Sequence, residues 1–152
     1  FGNATLTLCG EAKGELNRDK YRGTVLSAGI LSVAVSLIML FLCLAIPGKI
    51  IGLFSKDAEL IAGCGIYLIL MCINLYGKSG NIIIGSAIRG SGNTIWMFFT
   101  QIAGSVIVIS SALFFVRVLN MGIAGVFAAI ITDELIRAMI NYFKYRCIVK
   151  RF

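Results

Sequence analysis

Residues 24–46 read TVLSAGILSVAVSLIMLFLCLAI, a continuous run without a charged side chain. An α-helix needs roughly 20 predominantly apolar residues to cross the hydrocarbon core of a bilayer. This run is longer than that, and it lacks the strict alternation of apolar and polar residues that marks a barrel strand. It therefore predicts a transmembrane helix, which Pro47 and Gly48 bring to an end.

The composition of the whole chain agrees with this helix. Hydrophobic residues make up 59% of the 152 residues and charged residues 14%, whereas soluble globular domains average about 25% charged residues. So little polar surface cannot cover a water-soluble domain. The apolar excess also excludes a disordered chain, because disorder requires low hydrophobicity.

Three further apolar runs follow the first. The run over residues 60–88 is interrupted by polar residues from Lys78 to Asn81, so it is either one long helix with a polar belt or a span followed by a short broken piece. The segment between the last two runs, RVLNM, is short enough to make their helices antiparallel neighbours. The sequence predicts an all-α integral membrane protein with four transmembrane helices, at about 24–46, 60–88, 94–116 and 122–143.

The net charge of +7 indicates topology, not nucleic-acid binding. Most Lys and Arg residues fall in the segment before the first span, in the loop between the second and third spans, and in the C-terminal tail. Cytoplasmic loops carry an excess of these residues. We therefore expect a multi-pass protein of the inner or plasma membrane with both ends of the chain in the cytoplasm, and no nucleic-acid partner.

Enzyme activity has no support in the sequence. The five Cys residues form no C-x-x-C pair and the chain contains no His, which argues against a zinc or redox site. No pairing of a nucleophile with a base can be assembled either. We expect no catalytic residue and no bound metal.

Three segments, in this order, carry a family resemblance: GNATLTLCGEAKGELNRDKYR at 2–22, IIGLFSKDAELIAGCGIYL at 50–68 and GSAIRGSGNT at 85–94. Together they resemble the C-terminal half of the MATE (multidrug and toxic compound extrusion) transporters. The third segment is similar to the family's Arg-Gly-x-Gly-Asp-Thr stretch, with Asn93 in place of the usual Asp. Gly122 to Gly125, followed by a final helix and a basic tail, also fits.

The resemblance implies a fold and a function. The four spans would be helices 9–12 of a twelve-helix, two-lobe antiporter, with residues 1–23 forming the end of helix 8 and a cytoplasmic loop, and residues 24–152 the C-lobe region. Such antiporters export cationic or amphipathic compounds in exchange for Na⁺ or H⁺. The partners would be the lipid bilayer, a small-molecule substrate and the remainder of the same transporter chain. Two alternatives are a lipid-linked oligosaccharide flippase of the same superfamily and a stand-alone four-helix scaffold or channel subunit.

Lys78 is the most informative residue of the second span. At 100° per residue, Asn74, Lys78 and Asn81 share one helix face, and a charge at membrane depth normally faces protein or a water-filled cavity. We expect this face to line the substrate cavity; the alternative is that Lys78 extends along its helix to the interface. In several branches of the resembled family an acidic cation-binding residue lies at or near this position, so a Lys here implies that the coupling ion binds in the N-terminal lobe.

A second polar cluster lies in the fourth span. Asp133 and Arg137 are four residues apart and Glu134 and Arg137 three apart, so Arg137 can pair with either carboxylate. Pairing lowers the cost of holding these charges in a membrane. We expect an intramembrane ion pair, with a cavity-facing proton carrier as the alternative.

Overall fold

The computed structural model describes residues 1–54 and 56–152, without the side chains of residues 58–63. The described chain is all α-helical. A π-helical turn, Phe114–Val118, follows the fifth of its six α-helices. These are α1 (Gly2–Gly14), α2 (Arg18–Ala45), α3 (Pro47–Gly52), α4 (Ala58–Gly90), α5 (Thr94–Leu113) and α6 (Gly122–Lys150).

The helices extend beyond the apolar runs that predicted them. Helix α2 begins at Arg18, before the apolar run, because the Asn17 side chain caps its first turn by accepting a hydrogen bond from the Lys20 amide at 2.9 Å. Helix α4 runs from Ala58 to Gly90 without a break, which decides between the two alternatives left open by the sequence. Helix α6 continues through the basic tail to Lys150.

Three helical segments of the described chain are long and apolar enough to cross a membrane: Arg18–Ala45, Cys64–Gly90 and Thr94–Val118. They correspond to the first three predicted spans. The helix predicted at 122–143 is present as α6 but is not among these candidates, and Asp133, Glu134 and Arg137 lie within it. The structure therefore supports three membrane spans by length and composition.

A compact core lies where the ends of α1, α2, α4 and α6 meet. The Tyr21 side chain is fully buried there, and its hydroxyl donates a hydrogen bond to the Ala87 carbonyl at 2.9 Å. The rings of Tyr145 and Phe152 lie 5.9 and 4.9 Å from the Tyr21 ring, between centroids. This core fixes the loop before α2 and the C-terminal tail against the end of α4.

Helix α1 crosses α4 at Gly90. A Cβ atom on residue 90 would collide with the Leu6 carbonyl oxygen and lie 3.1 Å from Cys9 Cβ, so glycine permits this approach of two backbones. Two residues later Gly92 adopts a φ of +87° in the turn to α5, a conformation that other residues rarely adopt. The glycines of the GSAIRGSGNT segment therefore serve helix crossing and chain reversal.

Candidate functional site

A polar cluster lies between α4, α5 and α6, within a bundle whose outer faces are largely apolar. Helix α6 contributes most of it, because residues at every fourth position lie on one helix face. Asp133, Glu134 and Asn141 are all buried there, with exposures of 1%, 8% and 2%. Such burial of polar groups is favourable only where they find hydrogen-bond partners.

Arg137 links the cluster together. One of its terminal nitrogens donates to Asp133 Oδ2 and also lies 3.3 Å from Glu134 Oε1. The other donates to Gln101 Oε1 on α5 at 2.6 Å. The predicted pairing within one helix is thus present in the structure, and the same guanidinium joins α5 to α6.

Asn81 connects the cluster to α4. Its side-chain nitrogen donates to the Glu134 backbone carbonyl at 2.9 Å and to Glu134 Oε2 at 2.6 Å. Its oxygen accepts a 3.4 Å hydrogen bond from Asn141. Glu134 therefore has a partner on each carboxylate oxygen, one from α4 and one from its own helix.

A cavity of about 360 Å³ lies beside these contacts. The Lys78 side chain lines this cavity and is exposed. Within the part of the chain that the structure describes, it makes no hydrogen bond or ion pair. Asn74 is not among the lining residues, so the structure brings Lys78 and Asn81 together on this wall without Asn74. The lining consists of Lys78, Asn81, Ile82, Gly85, Arg89, Met97, Gln101, Glu134, Arg137 and Asn141.

A second cavity, of about 340 Å³, lies on the other side of Arg137. Asp133 and Arg137 line it together with Gln101, Gly104 and other residues of α5. Asp133 Oδ1 and Arg137 Nε are both buried, and neither has a hydrogen-bond partner among the described residues. Arg137 and Gln101 border both cavities and so form part of the wall between them.

Gly104 brings α5 close to this wall. A Cβ atom on residue 104 would lie 2.9 Å from both Asp133 Oδ1 and Arg137 Cδ. These separations are shorter than side chains normally allow, so the absence of a Cβ permits the contact. Within the described residues, no three His, Cys, Asp or Glu side chains are grouped so that they could hold a metal ion.

Comparison with known proteins now identifies the family. The MatE family profile matches residues 1–114, about three quarters of the chain. The chain belongs to the MatE family. The sequence-based assignment to MATE transporters is thereby confirmed, as is the prediction that the chain is not an enzyme.

Two curated relatives of this MatE chain are bacterial proteins. An uncharacterized transporter, YisQ, of Bacillus subtilis (strain 168) is 29% identical over 98 residues, covering 64% of this chain and 22% of the relative. A probable multidrug resistance protein, NorM, of Mannheimia succiniciproducens is 28% identical over 94 residues, covering 62% of this chain and 20% of the relative. The alignments thus cover only about a fifth of the length of either relative.

A solved structure has the same fold. It is described as the inward-facing conformation of a multidrug resistance MATE family transporter of the MOP superfamily. The match has a TM-score of 0.86 at 21% identity, and it covers 99% of this MatE chain and 35% of the other chain. The architecture of α1 to α6 is therefore that of part of a MATE transporter.

Three residues of the MatE chain's polar cluster were missed by sequence reasoning. Asn141 could have been found, because it follows Asp133 and Arg137 at the same spacing of four residues. Gln101 accepts a hydrogen bond from Arg137, and its position within an apolar run gave no indication of that partner. Gly104 gave no sequence signal, since its role depends on which residue of α6 lies opposite.

Proposed function

We propose that this chain is the C-terminal part of a secondary antiporter that exports cationic or amphipathic compounds in exchange for Na⁺ or H⁺. The observation that carries the proposal is the polar cavity between α4, α5 and α6, in a chain of a transporter family. Charged side chains at membrane depth are costly and normally face protein or a water-filled cavity. Family membership favours transport over an unrelated four-helix scaffold.

We further propose that α6 is a fourth span and that the four long helices are helices 9–12 of the transporter. In this arrangement residues 1–23 comprise the end of helix 8, which includes α1, and the cytoplasmic loop that follows it, and residues 24–152 form the C-lobe region. The pairing of Arg137 with two carboxylates supports the placement of α6, because it lowers the cost of burying three charges. The Lys and Arg distribution supports cytoplasmic locations for both chain ends.

Lys78 is the proposed substrate-facing residue of the first cavity, with Asn81 beside it. Lys78 lies near the middle of the candidate span Cys64–Gly90. It is the one lining cation of this cavity without a hydrogen-bond or ion-pair partner among residues 1–54 and 56–152, since Arg89 contacts Ser86 and Arg137 contacts Asp133. Its ammonium group is therefore available for an electrostatic interaction with a charged substrate bound in the cavity.

The test uses the full-length protein in cells that lack other drug-efflux pumps, with ethidium accumulation as the measurement. Lys78→Ala removes both the charge and the side-chain volume, whereas Lys78→Met removes mainly the charge. We expect both variants to change the export rate by about tenfold or more, the effect of about 1.4 kcal/mol. Lys49→Ala, which removes an exposed charge from α3, is the matched control and should export normally.

Unchanged export by both Lys78 variants, at equal amounts in the membrane, would show that Lys78 does not act in the cavity. If the wild-type protein does not lower ethidium accumulation or protect cells against any cationic compound, the proposed export function itself is wrong.

A further inference from the structure

The ion-pair cluster of α6 contains more acid than base. Asp133 and Glu134 are adjacent, and a single guanidinium, that of Arg137, contacts both. When both carboxyl groups are ionised, the three side chains carry one net negative charge. Holding an uncompensated charge away from water costs several kcal/mol, so the cluster has a strong tendency to bind one positive charge.

The two carboxylates differ in how well they are satisfied. Glu134 receives hydrogen bonds on both oxygens, from Asn81 and from Arg137. Asp133 is 1% exposed; its Oδ2 contacts Arg137, and its Oδ1 has no partner within the part of the chain that the structure describes. Asp133 is therefore the member of the pair whose charge is less stabilised.

We propose that Asp133 is a proton-binding group of the transport cycle, taking up and releasing one proton at Oδ1 through the second cavity. This inference rests on the proposed antiport function and assigns to it a coupling group within this chain. It differs from the sequence-based expectation, which placed the coupling ion in the N-terminal lobe.

The surroundings of Oδ1 favour a proton over a metal ion. Hard cations such as Ca²⁺ and Mg²⁺ are held by about six oxygen ligands. Here a Cβ on Gly104 would lie 2.9 Å from Oδ1 and 3.0 Å from the positively charged Arg137 side chain at Nε. Helix α5 therefore leaves no room beside Oδ1 for the several oxygen ligands of a metal cation, and the nearby guanidinium repels such a cation. A proton requires only one acceptor oxygen and one water-sized donor in the cavity.

Among the residues that the structure describes, few charged groups surround Asp133. Its own helix supplies Glu134 and Arg137. Helix α5 contributes Gln101 and Ser105 to the cavity lining but no titratable side chain. Helix α4 supplies two cations, Lys78 and Arg89, which line the first cavity on the far side of Arg137. Proton binding at Asp133 is therefore governed mainly by the two neighbours on α6.

The step itself is a simple proton transfer. A hydronium ion in the second cavity gives its proton to Asp133 Oδ1, a new O–H bond forms, and a neutral water molecule remains. The cluster then carries no net charge, and Arg137 is held by the remaining carboxylate, Glu134, and by Gln101. Because Glu134 also accepts from Asn81, the protonation state of Asp133 is transmitted to α4 and to the cavity that contains Lys78.

The experiment compares Asp133→Asn with wild type in the full-length protein, reconstituted in liposomes. The measurement is tetraphenylphosphonium transport driven by a pH gradient or, separately, by a Na⁺ gradient. We expect pH-gradient-driven transport by Asp133→Asn to fall at least tenfold, while tetraphenylphosphonium still binds and its binding no longer depends on pH. Asp19→Asn, an exposed acid in the first turn of α2, is the matched control and should behave as wild type.

A second variant tests the proposal in case Asp133→Asn does not fold. Glu134→Gln removes the neighbouring negative charge, so a proton on Asp133 should leave more easily. The midpoint of the pH profile of transport should therefore move to lower pH, by about one unit for strongly interacting groups. An unchanged midpoint in Glu134→Gln would contradict the proposal even if Asp133→Asn fails to fold.

Two results would overturn the assignment while leaving the antiport function intact. One is wild-type pH dependence in Asp133→Asn, and the other is wild-type transport that responds to a Na⁺ gradient and not to a pH gradient. If the wild-type protein transports under neither the pH gradient nor the Na⁺ gradient, the proposed function itself is contradicted.

Discussion

Gly104 offers a direct test of the contact between α5 and α6. In Gly104→Ala the added Cβ would lie 2.9 Å from Asp133 Oδ1, 2.9 Å from Arg137 Cδ and 3.0 Å from Arg137 Nε. Inserting a methyl group into a filled space costs about 1–3 kcal/mol. The substitution also gains up to about 1 kcal/mol, because alanine is the better helix former. Subtracting the full gain leaves a net destabilisation of about 1 kcal/mol, within a range of about 0–2 kcal/mol.

The assay is thermal unfolding of the purified full-length protein in detergent. Gly29→Ala is the matched control, because residue 29 lies within α2 and a Cβ there would meet no atom within 4 Å. The control should unfold at or above the wild-type temperature, and Gly104→Ala clearly below it. Equal unfolding temperatures for the two variants would refute the close packing of α5 on the Asp133–Arg137 pair.

Two further predictions concern α4 and the C-terminal tail. Asn81→Ala removes two hydrogen bonds to Glu134, one of them to a carboxylate, and should lower the free energy of unfolding by about 1.5–3 kcal/mol. The side-chain oxygen of Asn74 has no partner among the described residues, so Asn74→Ala should lower the free energy of unfolding by less in the same assay. Cys147 is exposed, so a membrane-impermeant maleimide should label it in inverted vesicles and not in right-side-out vesicles, as mass spectrometry can detect. Labelling of Cys147 only in right-side-out vesicles would contradict the proposed orientation.

The sequence predicted the helices well because a bilayer imposes simple requirements on them. A membrane-spanning segment must satisfy its own backbone hydrogen bonds and present apolar side chains to lipid, so runs such as 24–46 are visible without any knowledge of packing. Helix ends were less accurate. Asn17 starts α2 ahead of its apolar run, and the tail after residue 143 remains helical. Hydropathy did not reveal these ends, because polar helical turns outside the membrane core carry no hydropathy signal.

The pairing of Arg137 with Asp133 and Glu134 was also within reach of the sequence, because it depends only on spacing along one helix. The partners from other helices were not. Asn81 and Glu134 are 53 residues apart, and Gln101 and Arg137 are 36 apart. Spacing along the chain says nothing about which faces of separate helices meet.

The sequence by itself determined that this protein contains helices long and apolar enough to cross a membrane, which family it belongs to, and that acid, base and amide side chains interrupt its apolar runs. Only the tertiary structure decided that one guanidinium would separate two cavities and that Lys78 would share a wall with Asn81 but not with Asn74. The physical reason is that hydropathy and helical periodicity are local properties of the chain. The partners of a buried charge depend instead on how closely helices approach, which here follows from the absence of a side chain at Gly104.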